Sequence, residues 1–304
     1  MGSTSNLDAA SLFRVDGMVA VITGGGTGIG LTMARALATN GASRVYLLGR
    51  RPEPLQAAAA EFPSTFVPLP CDVTSAASLQ SAVDHITARE GYINLLIANS
   101  GIGGPHGYWN PALPLSAVRS NLFTQEVMDG MTATMQVNVT GAFFTIVAFL
   151  ELLDAGNKQA LKGGFGKPLA EGGDAPSVQS QVIVTGSIAA YSRMPMSSPA
   201  YAGSKAAVVH LAKQASSNLA RYGIRVNALA PGLFPSELAK GMIGDRDPSK
   251  EDYDHPKFIP SRRFGGDEEM AGTLLYLAGR PGAYCNGTVL VMDGGRSAVM
   301  LSSY

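Results

Sequence analysis

Cysteine is nearly absent. Cys71 and Cys285 are the two in 304 residues, which excludes a disulfide framework. A single bridge stays open, and two free thiols in a reducing compartment are the expectation. There is no CxxC and no His/Cys cluster at metal-ligand spacing, so no metal site is expected. A surplus of either charge is also lacking: 23 Lys and Arg balance 23 Asp and Glu. With no basic excess to neutralise a phosphate backbone, nucleic acid is a poor partner class. Residues 1–10 are small and polar, without the basic and apolar segments of a signal peptide. Apolar runs such as 142–150 are too short to span a bilayer. A soluble, cytoplasmic protein with no membrane partner is the expectation.

What the chain does have is a rhythm of strand, turn and helix. Short apolar runs at 18–22, 44–48, 65–69, 93–98, 181–185, 224–230 and 288–291 predict strands. Patterns at 31–39, 54–61, 75–89, 117–131, 132–153, 199–221 and 268–278 predict helices, with Ser75 as an N-cap. The strands are apolar throughout, which fits a sheet buried on both faces. The fold class is therefore α/β: a single Rossmann-type, doubly wound parallel sheet of about seven strands, formed by residues 1–304 as one domain. Residues 1–14 read as an N-terminal tail. Residues 156–180, with six glycines and two prolines, read as a surface insertion.

Thr23-Gly24-Gly25-Gly26-Thr27-Gly28-Ile29-Gly30 follows the first strand and opens the first helix. Glycines there let the backbone approach a pyrophosphate, while the helix N-terminus offers free N–H groups and a positive dipole end. An NAD site usually carries Asp or Glu after the second strand, to bond the ribose 2′-hydroxyl. Here the strand ends in Gly49-Arg50-Arg51. A guanidinium suits a 2′-phosphate, so the reading is NADP(H) over NAD, although two arginines can also merely cap a strand.

Tyr201 and Lys205 stand four apart near the start of a long helix, so they share one face. A cation near a phenol favours phenolate and makes it a usable acid–base. Ser187 follows the fifth strand, at the sheet edge where ligands bind in such folds. Each residue alone is ordinary. Their order behind the glycine-rich turn is not.

In that order the motifs resemble the short-chain dehydrogenase/reductase family, over roughly residues 17–295. Beside the glycine loop and Ser187, Tyr201 and Lys205, Cys71-Asp72-Val73 is similar to its adenine-contacting segment. Ala98-Asn99-Ser100-Gly101 is similar to its Asn-Asn-Ala-Gly stretch, with Ala98 replacing the first Asn. Asn138 matches its helix asparagine. Pro231-Gly232, with Leu233 and Ser236, resembles the segment bordering the nicotinamide amide. Arg263-Phe264-Gly265 and Asp293-Gly294-Gly295 resemble C-terminal landmarks. The resemblance implies that Tyr201 is the general acid, that Lys205 lowers its pKa, and that Ser187 polarises the carbonyl. It implies that Asn138 holds a water relaying protons to Lys205. A bond lost at Ala98 would be missing or supplied by Ser100. Thr27 stands where many NADP enzymes of the family carry a basic residue, which leaves the 2′-phosphate to Arg50 and Arg51.

Substrate contacts would come from Ile188, Tyr191, Met194, Met196, Tyr108, Trp109, Leu233 and Phe234, an apolar set of which half can equally serve the core or a subunit interface. Residues 239–260 resemble the family's variable lid. The segment 230–236 resembles 3-oxoacyl-carrier-protein reductases, including those of rhamnolipid synthesis. The implied activity is reduction of a 3-oxoacyl or other ketone to a secondary alcohol, or the reverse, in a homodimer or homotetramer. The alternatives are a catalytically idle NADP-binding regulator or scaffold of the same fold, and an epimerase- or dehydratase-type relative.

Overall fold

Strands apolar on both faces need two covering layers, and the helices supply them. The structure, a computed structural model, describes residues 7–105, 107–195 and 197–303. The strands are β1 (Val19–Thr23), β2 (Arg44–Gly49), β3 (Phe66–Pro70), β4 (Leu95–Ala98), β5 (Gln181–Thr185), β6 (Arg225–Pro231) and β7 (Val289–Met292). They form one parallel sheet in the order β3-β2-β1-β4-β5-β6-β7. The order reverses between β1 and β4, and a crevice opens there at the carboxyl edge. Edge strand β3 carries Pro68 and Pro70, which blunt it against pairing with another chain.

The helices are α1 (Ala9–Leu12), α2 (Gly28–Thr39), α3 (Pro52–Ala59), α4 (Ala76–Arg89), α5 (Leu115–Leu122), α6 (Gln125–Met135), α7 (Ala142–Ala148), α8 (Leu150–Leu161), α9 (Pro199–Leu219), α10 (Lys240–Ile243), α11 (Asp267–Ala278) and α12 (Arg296–Val299). Alternate strand residues serve the two layers. Ala20, Ile22, Leu47 and Ile97 pack under Met33 and Leu37 of α2 and Leu274 of α11. Val19, Val21, Leu96 and Val184 pack under Ile86 of α4, Ile146 of α7 and Val208 of α9. These side chains are essentially fully buried, each of the Val, Leu, Ile and Met stabilising by about 1.5–3 kcal/mol.

Four expectations change. The run 117–131 breaks at Phe123, because the Thr124 hydroxyl accepts from Val127 N (3.2 Å) and starts a new helix. The run 132–153 contains a π-helical segment, Gln136–Gly141, and bends at Phe149 between α7 and α8. The helical stretch Gln125–Ala148 reaches the length and hydropathy of a bilayer-crossing helix; it packs by one side on α9 and β4. The insertion begins later than 156, since 156–161 completes α8 and Asn157 binds both Ser180 N (2.7 Å) and Gly223 O (2.9 Å). In the tail, Asp8 caps α1 and Phe13 packs on the core.

A Cβ at Gly156 would sit 2.1 Å from Ile93 O, whereas one at Gly272 of α11 meets nothing within 4 Å. Gly156→Ala should therefore lower unfolding free energy by about 1–3 kcal/mol. Gly272→Ala should raise it by roughly 0.5–1 kcal/mol through helix propensity. Urea unfolding of the two variants measures both.

Candidate active site

The glycine loop closes tightly on β4. A Cβ on Gly30 would lie 2.2 Å from Gly24 O and 2.7 Å from Asn99 Nδ2, and Gly28 adopts a φ of +52°. Only residues without side chains fit, and the backbone is left bare at the crevice. Thr27 is the N-cap of α2 but makes no side-chain bond to it, so it leaves the first-turn N–H groups for a ligand. Gly26 lies against Leu55, and Ile29 packs on the core beneath the loop. Ser236, arriving from β6, stands beside Gly28. These features fit a dinucleotide's pyrophosphate.

Asn99 binds three strand ends together. Its Nδ2 donates to Thr23 O (3.0 Å) and Gly24 O (3.3 Å), and its Oδ1 accepts from Thr185 Oγ1 (3.1 Å). The Thr23 hydroxyl in turn accepts from Asn99 N (2.9 Å) and Ser100 N (3.0 Å). These bonds belong to Asn99, the second residue of the stretch, and Ser100 joins them through its main-chain N–H. Ala98 itself is buried in the core.

Ser187, Tyr201, Lys205 and Asn138 come together at this edge. The Ser198 hydroxyl caps α9 by accepting from Tyr201 N (3.4 Å), with Pro199 in the first turn. Ser187 caps the 3-10 turn Ile188–Ala190, accepting from Ala189 N (3.1 Å). Burial pushes the Tyr201 phenol above its ordinary 10, and a hydrogen bond with Ser187 opposes that rise. The Lys205 ammonium lies 5.7 Å from the Tyr201 ring centroid and donates to Thr185 O (2.7 Å). Burial lowers its pKa from 10.5 to about 8. The π-helical segment turns Asn138 inward, where Oδ1 accepts from Ile102 N (2.8 Å) and Nδ2 donates to Ile102 O and Ser204 Oγ (both 2.9 Å). Gly101 runs alongside; a Cβ there would be 3.2 Å from Asn138 Oδ1 and 3.5 Å from Lys205 Nζ.

Other expected residues divide. Asp72 faces outward, its carboxylate held below the usual range chiefly by the Thr74 backbone N–H and hydroxyl, with Arg50 nearby adding to it. Cys71 and Val73 flank it but point into the core, because alternate residues of an extended segment face opposite ways. Arg50 is exposed. Arg51 is not free: its Nη2 pairs with Glu237 Oε2 at 2.8 Å. Phe234 is a correction: it is 7% exposed, and its ring fills the space over Gly265, so it belongs to the core. Ile188, Tyr191, Met194 and Leu233 are half-buried near Ser187 and Pro231-Gly232 in sequence. Met196 lies outside the described residues. Tyr108 and Trp109 are exposed.

Sequence reasoning missed Thr185, Ser204, Glu237 and Leu238. Thr185 and Ser204 lie within the motif stretches and carried a signal there. Glu237 is 186 residues from its partner, and no local pattern pairs them. Leu238, partly exposed, reaches the 102–105 loop at Gly103.

The fold and this constellation define a nicotinamide-dependent α/β oxidoreductase, and the comparisons place it. A family model described as short chain dehydrogenase matches residues 18–161, and one described as Enoyl-(Acyl carrier protein) reductase matches 169–297. The chain belongs to the short-chain dehydrogenase/reductase family. It is 58% identical to the short-chain dehydrogenase/reductase SAT3 of Stachybotrys chartarum, over 90% of this chain and 100% of that one. It is 31% identical to the rhamnolipids biosynthesis 3-oxoacyl-[acyl-carrier-protein] reductase of Pseudomonas aeruginosa, over 93% and 97%. A solved RhlG/NADP active-site complex from Pseudomonas aeruginosa superposes with a TM-score of 0.74 at 30% identity, over 94% of this chain and 98% of that one.

Burying an ammonium at Lys205 opposes folding. The unfolded chain holds that proton up to about pH 10.5 and the folded chain only to about 8, so the penalty is full below pH 8 and fades as pH rises through this window. Lys205→Met should therefore be more stable than the parent by about 3 kcal/mol at pH 7, with the gain shrinking between pH 8 and 10.5 in melting experiments.

Proposed function

We propose that the protein is an NADP(H)-dependent ketoreductase that interconverts a 3-oxoacyl or other small to medium ketone and its secondary alcohol. The observation that carries this reading is the convergence of Ser187, Tyr201 and Lys205 beside the glycine loop. The cofactor, when bound, supplies or accepts the hydride. Ser187 Oγ donates to the carbonyl oxygen and orients it. Tyr201 passes its phenolic proton to that oxygen. The Lys205 ammonium favours the phenolate left behind, against the burial that disfavours it. Both N–H groups of Asn138 are already used, so a relayed water would bind its main-chain carbonyl or the second lone pair of Oδ1.

The glycine loop, Asp72, Asn99, Ser100, Gly101 and the Pro231–Ser236 segment would hold the dinucleotide. Arg50 would take the 2′-phosphate, since it is exposed beside Asp72 while Arg51 is paired with Glu237. Similarity to a 3-oxoacyl reductase and to an NADP complex supports the substrate class and the cofactor. Exposed Phe143, Phe144 and Val147 on α7 support a homodimer or homotetramer.

NADPH oxidation against 3-oxoacyl thioesters, diketones and cyclic ketones tests the reading. Tyr201→Phe should lose on the order of a thousandfold in kcat with NADPH binding intact; retained turnover refutes Tyr201 as the acid. Binding without turnover on the whole panel would favour the idle regulator. Arg50→Ala should weaken NADPH by about tenfold and leave NADH unchanged, with a smaller loss for Arg51→Ala, as read by fluorescence titration.

A further inference from the structure

Residues 301–303 double back to the catalytic side. Ser302 forms an antiparallel bridge with Ser192. Arg193 N donates to Leu301 O (2.8 Å), Ser303 N donates to Tyr191 O (2.8 Å), and the Arg193 guanidinium donates to Ser302 O (2.7 Å). The clamped stretch, 191–193, directly follows the turn that Ser187 caps. At its other end the same segment grips the root of the 239–260 excursion. The Arg296 guanidinium donates to Phe258 O (2.8 Å), and Ser261 N donates to Gly294 O (2.9 Å). Between the grips the segment is cross-bonded: the Asp293 carboxylate accepts from Ser297 N and Oγ (both 2.6 Å), and Ser302 Oγ donates to Ser297 O (3.2 Å).

Two loops that flank the catalytic edge, 188–194 after β5 and the 256–261 root beyond β6, are thus joined by one short strap. Neither loop belongs to the sheet. The first is held by its own 3-10 turn and by packing on α9, and the backbone bonds of the strap add a second hold at 191–193; the Arg296 bonds help fix the second loop. We propose that residues 293–303 are a strap that sets the spacing of the carbonyl pocket, with Arg193 and Arg296 as positioning residues. They act through Tyr191, Met194 and the lid root. This rests on the ketoreductase reading for its substrate, but not for the strap itself.

The test uses the full-length protein, a deletion of residues 301–304, and Arg193→Ala and Arg193→Lys. Hydrogen exchange at 188–194 is read without any substrate. Protection there should drop in the deletion and in Arg193→Ala; unchanged protection overturns the strap whether or not any ketone is turned over. With the best ketone of the panel, KM should rise about tenfold in both variants, with kcat and NADPH affinity within about twofold. Arg193→Lys, which keeps a donor, should recover part of the loss. A lower melting temperature with KM unchanged would mean that the strap only stabilises, and would overturn the proposal. Should the parent reduce no ketone, the ketoreductase reading fails while the exchange result still decides the strap.

Discussion

The carboxyl edge of the sheet is held by one carboxamide. Asn99 donates from β4 to the start of the glycine loop and accepts from Thr185 at the end of β5. The carbonyl of that same Thr185 receives the Lys205 ammonium. The glycine loop and Lys205 are therefore referenced to one another through a single amide at the point where the strand order reverses. A half-buried carboxamide of this kind is costly to leave unsatisfied, and its bonds fall on the glycine loop and on Thr185.

From that anchor the site is assembled by departures from regularity. The π-helical segment lets Asn138 turn inward to clamp Ile102, and the extended Ser187 begins a 3-10 turn. The Lys205 charge is buried in the core of α9 without a carboxylate cause among those acting on it. The fold tolerates this because two thoroughly apolar layers stabilise the sheet beneath. A charge held against its burial cost is what an acid–base tyrosine needs as a neighbour.

Much of this was legible in the sequence, and for a physical reason. Seven short apolar runs, all but the last followed by turn residues and a helix, permit few topologies other than a parallel sheet. Strand boundaries agreed to within two residues. Tyr201 and Lys205 were legible because helical spacing fixes their relative position. What failed was where neighbouring segments, distant in sequence, decide the outcome. The 117–153 stretch reads as two smooth helices, yet capping by Thr124 and the packing of Asn138 divide it. Phe234 sits in a motif-like stretch, yet its side chain goes to the core.

The sequence by itself determined the sheet, the glycine loop and the identity of the Ser187–Tyr201–Lys205 set, because period, turn chemistry and spacing are local properties. The tertiary structure alone decided that Asn99 ties β4 to Thr185 at the end of β5 and that Glu237 occupies Arg51. It also decided that residues 301–303 pair with the loop beside Ser187. Each of these is a hydrogen bond or ion pair between segments far apart in the chain. No periodicity encodes such a pair, because only the closed sheet brings its two ends within bonding distance.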